Sequence, residues 1–168
     1  MSKSLPKSRL GRTDLLVTRL GYGAAHNKTQ TIYNAKKIHD AILTYGINYI
    51  DTADDYGNSE DLIGEYLSEH ISKFYIATKC GAGGQDPRYF GGSPSGHILT
   101  RENCMRTLEE SLRRMRLEYV DIMQIHSISA SECESNGLVE VLDDMKKQGK
   151  VRWIGASTSI PDIATFLE

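Results

Sequence analysis

Cysteine is scarce in this chain. Cys80, Cys104 and Cys133 are odd in number and widely spaced. No pair has the spacing of a zinc or redox motif, so no metal site is expected, and reduced thiols in a cytoplasmic setting are the simplest reading. Long apolar runs are missing as well; none approaches the roughly 18 residues of a membrane span. The opening residues, Met1-Ser2-Lys3-Ser4-Leu5-Pro6-Lys7, hold no apolar core of a secretory signal. Neither charge is in excess. A formal net charge of −2 gives no electrostatic case for nucleic acid or an anionic membrane surface. With 168 residues, 39% hydrophobic and 25% charged, the chain can bury the core of one ordinary globular domain.

The pattern along the chain alternates strand and helix. Leu20 to Ala24 reads as a short strand. A helix follows from about Asn34 to Tyr45, with Ile38, Ala41, Ile42 and Tyr45 on one face and Gly46 as its stop. Ile47 to Asp51 is the second strand. Ser59, followed by Glu60 and Asp61, reads as the N-cap of a helix that buries Leu62, Ile63, Tyr66 and Leu67. Phe74 to Lys79 is the third strand. A Gly-rich loop, Cys80 to Leu99, holds Pro87 and Pro94. A helix from Thr100 places Met105, Leu108, Leu112 and Met115 on one face, with Arg113, Arg114 and Arg116 on a solvated one. Tyr119 to His126 is the fourth strand. A polar loop, Ser127 to Asn136, leads to a helix through Leu138, Val141, Leu142 and Met145, closed by Gly149. Val151 to Gly155 is the fifth strand, and a last helix opens near Pro161.

Regular β-α alternation implies parallel strands with right-handed crossovers, either a barrel or an open doubly wound sheet. Two features favour the barrel. The polar residues of interest gather at the C-terminal ends of strands, where barrels build their sites. Gly21-Tyr22-Gly23 lacks the third glycine and the tight strand-to-helix turn of a dinucleotide fingerprint.

Four of those residues make a proton-transfer set. Asp51 ends one strand and Tyr56 follows it, opening the next helix; Lys79 and His126 end two later strands. Tyrosine ordinarily ionises near pH 10 and is a poor acid at neutrality. A neighbouring cation favours the phenolate, and Lys79 can supply it, with Asp51 holding the lysine in place and protonated. His126 can orient a substrate oxygen towards Tyr56. Such a set protonates a developing alkoxide, as carbonyl reduction by a hydride donor requires. Each member alone has a plainer reading: a structural ion pair, a rim histidine, a packed tyrosine. Their joint position at strand ends favours a site. Ser157 and Thr158, after the fifth strand, read equally well as ligand hydroxyls or helix-capping residues. Gly81, Gly83 and Gly84 lack the Lys-Ser/Thr of a phosphate loop and read as a flexible loop. His26, His39, His70 and His97 have no partner at metal-ligand spacing.

Asp51-Thr52-Ala53-Asp54-Asp55-Tyr56-Gly57, with Ser59-Glu60 and Ile63-Gly64, resembles a signature of the aldo-keto reductase family. Leu10 to Gly21 is similar to that family's N-terminal hairpin and first strand. Ala77-Thr78-Lys79 resembles its lysine strand, Asp121 to His126 its histidine strand, and Leu108 to Arg114 the helix between them. The resemblance implies a (β/α)8 barrel that uses NADP(H), sometimes NAD(H), to reduce aldehydes and ketones. It implies Tyr56 as proton donor, Lys79 and Asp51 as its tuners and His126 as the substrate-orienting residue. It places cofactor contacts at Asp51, Gly23, Ser157 and Thr158, although many relatives carry Asn where this chain has Thr158. Only five of eight barrel strands are present. The expectation is therefore a single domain over residues 1–168, incomplete at its C-terminus: a truncated barrel with two open edges through which copies can associate. Two other readings stay open, a non-catalytic regulatory subunit like the barrel subunits of potassium channels, and an inactive fragment.

Overall fold

Strand periodicity decides which residues meet in this protein. Successive side chains of a strand point to opposite faces, so residues two apart share one. In the computed structural model, which describes residues 5–25, 32–83, 97–159 and 162–167, five parallel strands form one sheet in the order β3-β4-β5-β6-β7. They are β3 (Tyr22–Gly23), β4 (Tyr49–Asp51), β5 (Tyr75–Cys80), β6 (Val120–His126) and β7 (Val151–Ser157). A separate antiparallel hairpin pairs β1 (Lys7–Arg9) with β2 (Leu16–Thr18). The truncated-barrel architecture read from the sequence is the one observed. Gly84, Pro87, Pro94, Pro161 and His26 lie outside the described residues.

The register stacks the inner face in layers. Gly23, Asp51, Ala77, Ile122 and Trp153 lie side by side across the five strands. Lys79, Gln124 and Gly155 form the next layer, and His126 pairs with Ser157 above it. The hairpin covers the lower part of this face: Leu15 and Val17 are buried against Ala77 and Ile122, with Tyr49, Tyr75 and Trp153 around them. Asp14 of the hairpin ties it to β7, accepting from Trp153 Nε1 at 3.1 Å and from Arg152 Nη2 at 2.7 Å.

The opposite face carries Ile50, Ile76, Cys80, Met123 and Ile125 into the main core. Helices cover it: α1 (Ile32–Tyr45), α2 (Ser59–Tyr66), α3 (Arg101–Met115), α4 (Ala130–Ser135), α5 (Leu138–Lys147) and α6 (Asp162–Leu167). A 3₁₀ segment, Ser68–Lys73, joins α2 to β5. On α3, Cys104, Leu108, Leu112 and Met115 form a buried stripe at helical spacing. Each of the larger three contributes roughly 1.5–3 kcal/mol by leaving water. Thr100 caps that helix by accepting from Asn103 N. Gly64 of α2 lets α3 approach closely, since a Cβ there would stand 2.2 Å from Arg114 O.

Several local expectations are corrected. Ser59 is not the N-cap of α2; Asn58 occupies that position, and Ser59 is buried, 2.9 Å from the Thr52 hydroxyl. The polar loop before α5 contains α4, whose capping box joins Ser129 and Glu132. Ser157 belongs to β7 rather than following it. Tyr45 is exposed rather than part of the buried face of α1. Arg114 leaves the solvated face expected for it and pairs with the buried Glu60 at 2.7 Å, while the other Glu60 oxygen accepts from Thr78 at 2.7 Å. The reason is again periodicity: Thr78 faces outward on β5, under α2 and α3, where an unpaired hydroxyl would be costly.

Candidate active site

The inner layers converge at the C-terminal rim. Lys79 is buried on β5, and its Nζ donates to Asp51 Oδ2 at 2.8 Å and to the Thr52 carbonyl at 2.8 Å. Asp51 keeps a third of its side-chain surface, 34% against 4% for Lys79, so the pair is wet on one side only. Gln124, one strand further on, donates to the other Asp51 oxygen at 3.2 Å. It was not singled out in the sequence, yet it sits two residues before His126 and therefore on the same face.

Tyr56 lies in the turn between β4 and α2, not in the helix it was expected to open. Its backbone N–H donates to Ala53 O and its carbonyl accepts from Ser59 N, with Gly57 at φ +60° completing the reversal. The turn brings the Tyr56 ring to 4.7 Å from Lys79 Nζ and to 5.9 Å from the His126 ring, edge-on at 76°. The four residues expected to form a proton-transfer set thus occupy one place. Gly23 adjoins Asp51 across the β3–β4 pair. Ser157 adjoins His126 across the β6–β7 pair, and Thr158 follows it, half-buried.

Three further residues crowd the rim. Asp55 lies 3.4 Å from His126 Nδ1 and 3.6 Å from His97 Nε2. Burial pushes the Asp55 carboxyl up, but contacts with His126 and His97 outweigh it and hold it well below the usual range. Asp54 accepts from the Ala82 N–H at 3.0 Å, and its other oxygen is buried without a partner. Burial, with the charge of Glu60 second, pushes Asp54 up to about 7. Beneath it, Cys80 and Cys104 interact; the thiol contact and burial push Cys80 up, while the same contact pulls Cys104 down. All three cysteines are free and buried.

Parallel β-α units with a Tyr, Lys, Asp and His gathered at one strand-end rim define a barrel-type protein with a candidate site at that rim. The family model described as "Aldo/keto reductase family" matches residues 19–165, and the chain belongs to that family. It is 31% identical over 171 residues to L-galactose dehydrogenase of Arabidopsis thaliana, covering 94% of this chain and 50% of the relative. It is 31% identical over 169 residues to the NADH-specific methylglyoxal reductase of Escherichia coli, covering 91% and 52%. A holo-form aldo-keto reductase of Bacillus halodurans superposes with a TM-score of 0.79 at 27% identity, covering 96% of this chain and 53% of that one. The chain spans about half the length of the curated relatives it matches. No helix among the described residues is long and apolar enough to cross a membrane.

Proposed function

We propose that the chain carries the proton-transfer centre of an NAD(P)H-dependent reductase of small aldehydes and ketones. The observation that carries this reading is the Lys79–Asp51 pair at 2.8 Å with the Tyr56 ring 4.7 Å from Lys79 Nζ. The rim suits the nicotinamide end of the cofactor. Nothing lies within 4 Å of where a Cβ on Gly23 would stand, which leaves open backbone beside the half-exposed Asp51. Across the face, half-buried Ser157 adjoins His126 and carries a hydroxyl able to pair with a carboxamide, while Thr158, next along, also borders the apolar cavity of Ile154, Ile163 and Phe166. Gly23, Asp51, Ser157 and Thr158 would hold that end. When bound, the cofactor supplies a hydride to the carbonyl carbon.

The chain's own residues handle the proton. Tyr56 gives its hydroxyl proton to the carbonyl oxygen as negative charge develops there, and the product is an alcohol. The phenolate left behind is stabilised by the Lys79 ammonium, which Asp51 and the Thr52 carbonyl keep aimed at the ring. Solvent on the open side of Asp51 returns the proton. His126, edge-on to Tyr56, orients the substrate oxygen. Ile122 and Trp153 below this layer, sealed by Leu15 and Val17, keep water from reaching the centre from beneath.

NADP(H) is the first cofactor to test and NAD(H) the second, because the E. coli relative is named for NADH. Methylglyoxal with the reduced cofactor, and L-galactose with the oxidised cofactor for the reverse reaction, both taken from the relatives' names, open the substrate series. The free, buried cysteines favour a reducing, cytoplasmic setting. β3 and β7 are the sheet's two edges among the described residues, and self-association through them is part of this reading. The test is cofactor binding to the purified chain, followed by quenching of Trp153, its one tryptophan, and then turnover by nicotinamide absorbance. Saturable binding and turnover that falls about 10²–10⁴-fold in Tyr56→Phe are expected. Turnover unchanged in Tyr56→Phe would refute the role of the tyrosine.

A further inference from the structure

We infer that Asp55, His97 and His126 form a binding site for a divalent transition-metal cation of the zinc class. Three buried polar atoms at the rim have no hydrogen-bond partner: Asp55 Oδ1, His97 Nε2 and His126 Nδ1. The ligand atoms of these residues lie within 4.8 Å of one another. Their side chains are only 15%, 8% and 9% exposed, so bulk water does not satisfy them. Leaving such groups unpaired costs roughly 1–3 kcal/mol each, and an ion at their centre removes that cost.

The distances suit an ion better than hydrogen bonds. Asp55 Oδ1 stands 3.4 Å from His126 Nδ1, and the other oxygen, Oδ2, stands 3.6 Å from His97 Nε2. Those separations exceed the roughly 2.7–3.2 Å of a hydrogen bond. The first is close to the ~3.4 Å edge of a tetrahedron with metal bonds of about 2.0–2.1 Å, and the second turns the other face of the same carboxylate to His97. The two imidazoles meet edge-on at 70°, with centroids 4.8 Å apart, and turn nitrogens to one carboxylate instead of stacking.

Each ligand is anchored by a different element. His126 ends β6; Asp55 sits in the tight turn before α2. His97 is fixed by its bridge to Ala82 and by Ile98 N donating to Gly81 O at 2.8 Å. Two imidazoles and one carboxylate are a donor set for Zn²⁺ and neighbouring first-row divalent ions, and three protein ligands leave a position open. Spacing along the chain carries no expectation of a metal, because the ligands come from a strand end, a turn and a post-strand loop far apart in sequence. A cation on Nδ1 leaves the His126 ring proton on Nε2, so the residue keeps an N–H donor for a substrate oxygen. Only this last consequence rests on the reductase reading.

The experiment titrates Zn²⁺ into the chelator-stripped full chain by calorimetry, without cofactor or substrate, and records the visible spectrum of the Co²⁺ form. One ion per chain is expected, with nitrogen–oxygen d–d bands and no intense near-ultraviolet thiolate band. Affinity should fall at least about 10- to 100-fold in both His97→Gln and Asp55→Asn, and stay unchanged in His70→Gln. Circular dichroism checks that each variant is folded, and the wild-type Co²⁺ spectrum needs no variant. Absence of saturable binding, a thiolate band that moves the ion to the cysteines, or unchanged affinity in folded His97→Gln would each overturn the site. Binding without turnover would count against the reductase reading alone.

Discussion

Replacing Asp54 by Asn should stabilise this protein at neutral and alkaline pH and do little at pH 4. The Asp54 residue is half-buried as a whole, but one carboxyl oxygen has no surface and no partner. Its pKa rises to about 7 from an ordinary value of 3.8. The folded state therefore keeps a proton that the unfolded chain has lost. Stability contributed by this group is full below about pH 4 and declines as pH rises towards 7. The slope is about 1.4 kcal/mol per pH unit, and the three-unit window gives a ceiling of roughly 4 kcal/mol. A carboxyl that can turn partly towards water should realise about half of that. Asparagine keeps an acceptor for the Ala82 N–H and removes the ionisation. His39 acts in the opposite direction over the same window, so the wild-type curve alone is not diagnostic. The quantity to follow is the difference between variant and wild type, from urea unfolding read by Trp153 fluorescence at pH 4, 5, 6, 7 and 8. It should grow with pH to roughly 2–4 kcal/mol and level off above pH 7. A difference independent of pH, or one that grows towards acid, would refute the assignment.

His39 is 1% exposed between the rings of Tyr22 and Tyr66, and burial lowers its pKa to about 4. Its contribution is present above the ordinary value near 6.5 and is lost as pH falls through 4; His39→Phe should lose up to about 3 kcal/mol less than wild type between pH 7 and 4, read by the same unfolding assay. Glu60→Ala leaves the Thr78 hydroxyl unpaired and the Arg114 guanidinium with only its longer contacts to Glu110 and Ser111, both at 3.5 Å. It should cost about 2–3 kcal/mol, measured by urea unfolding at pH 7.

Much of the site was legible because the fold's rule is simple. Strand ends carry polar residues to one rim, so Asp51, Lys79 and His126 could be placed together from the sequence, and Tyr56 with them. The same two-residue period could have found Gln124. The box Ser129-x-x-Glu132 was a readable signal for α4 that a polar composition masked. Other features were not local. The Glu60–Arg114–Thr78 network joins two helices to a strand, and nothing in a run of arginines marks the one that turns inward. Asp55 and His97 meet only because a turn and a post-strand loop fold over the end of β6.

Thr78 and Lys79 put this partition to a direct test, since adjacent residues of one strand serve opposite faces. Thr78 points under α2 and α3, where its hydroxyl donates to Glu60. Thr78→Val keeps the shape but removes the donor and should cost about 1–2 kcal/mol of stability, with cofactor binding unchanged. Lys79 points to the rim, where its ammonium faces Asp51, the Thr52 carbonyl and the Tyr56 ring. Lys79→Met keeps the aliphatic stem. The Asp51 carboxylate left behind is a third exposed and retains Gln124 as a donor, so water can solvate it. The stability loss should stay near that of Thr78→Val, while turnover falls at least about 10²-fold because the phenolate has lost its counter-charge. Unfolding midpoints and single-turnover rates on both variants decide the matter. Equal losses of turnover in both would mean that the two faces are mechanically coupled and that parity does not separate scaffold from chemistry. A turnover loss confined to Lys79→Met would locate the chemistry on the inner face.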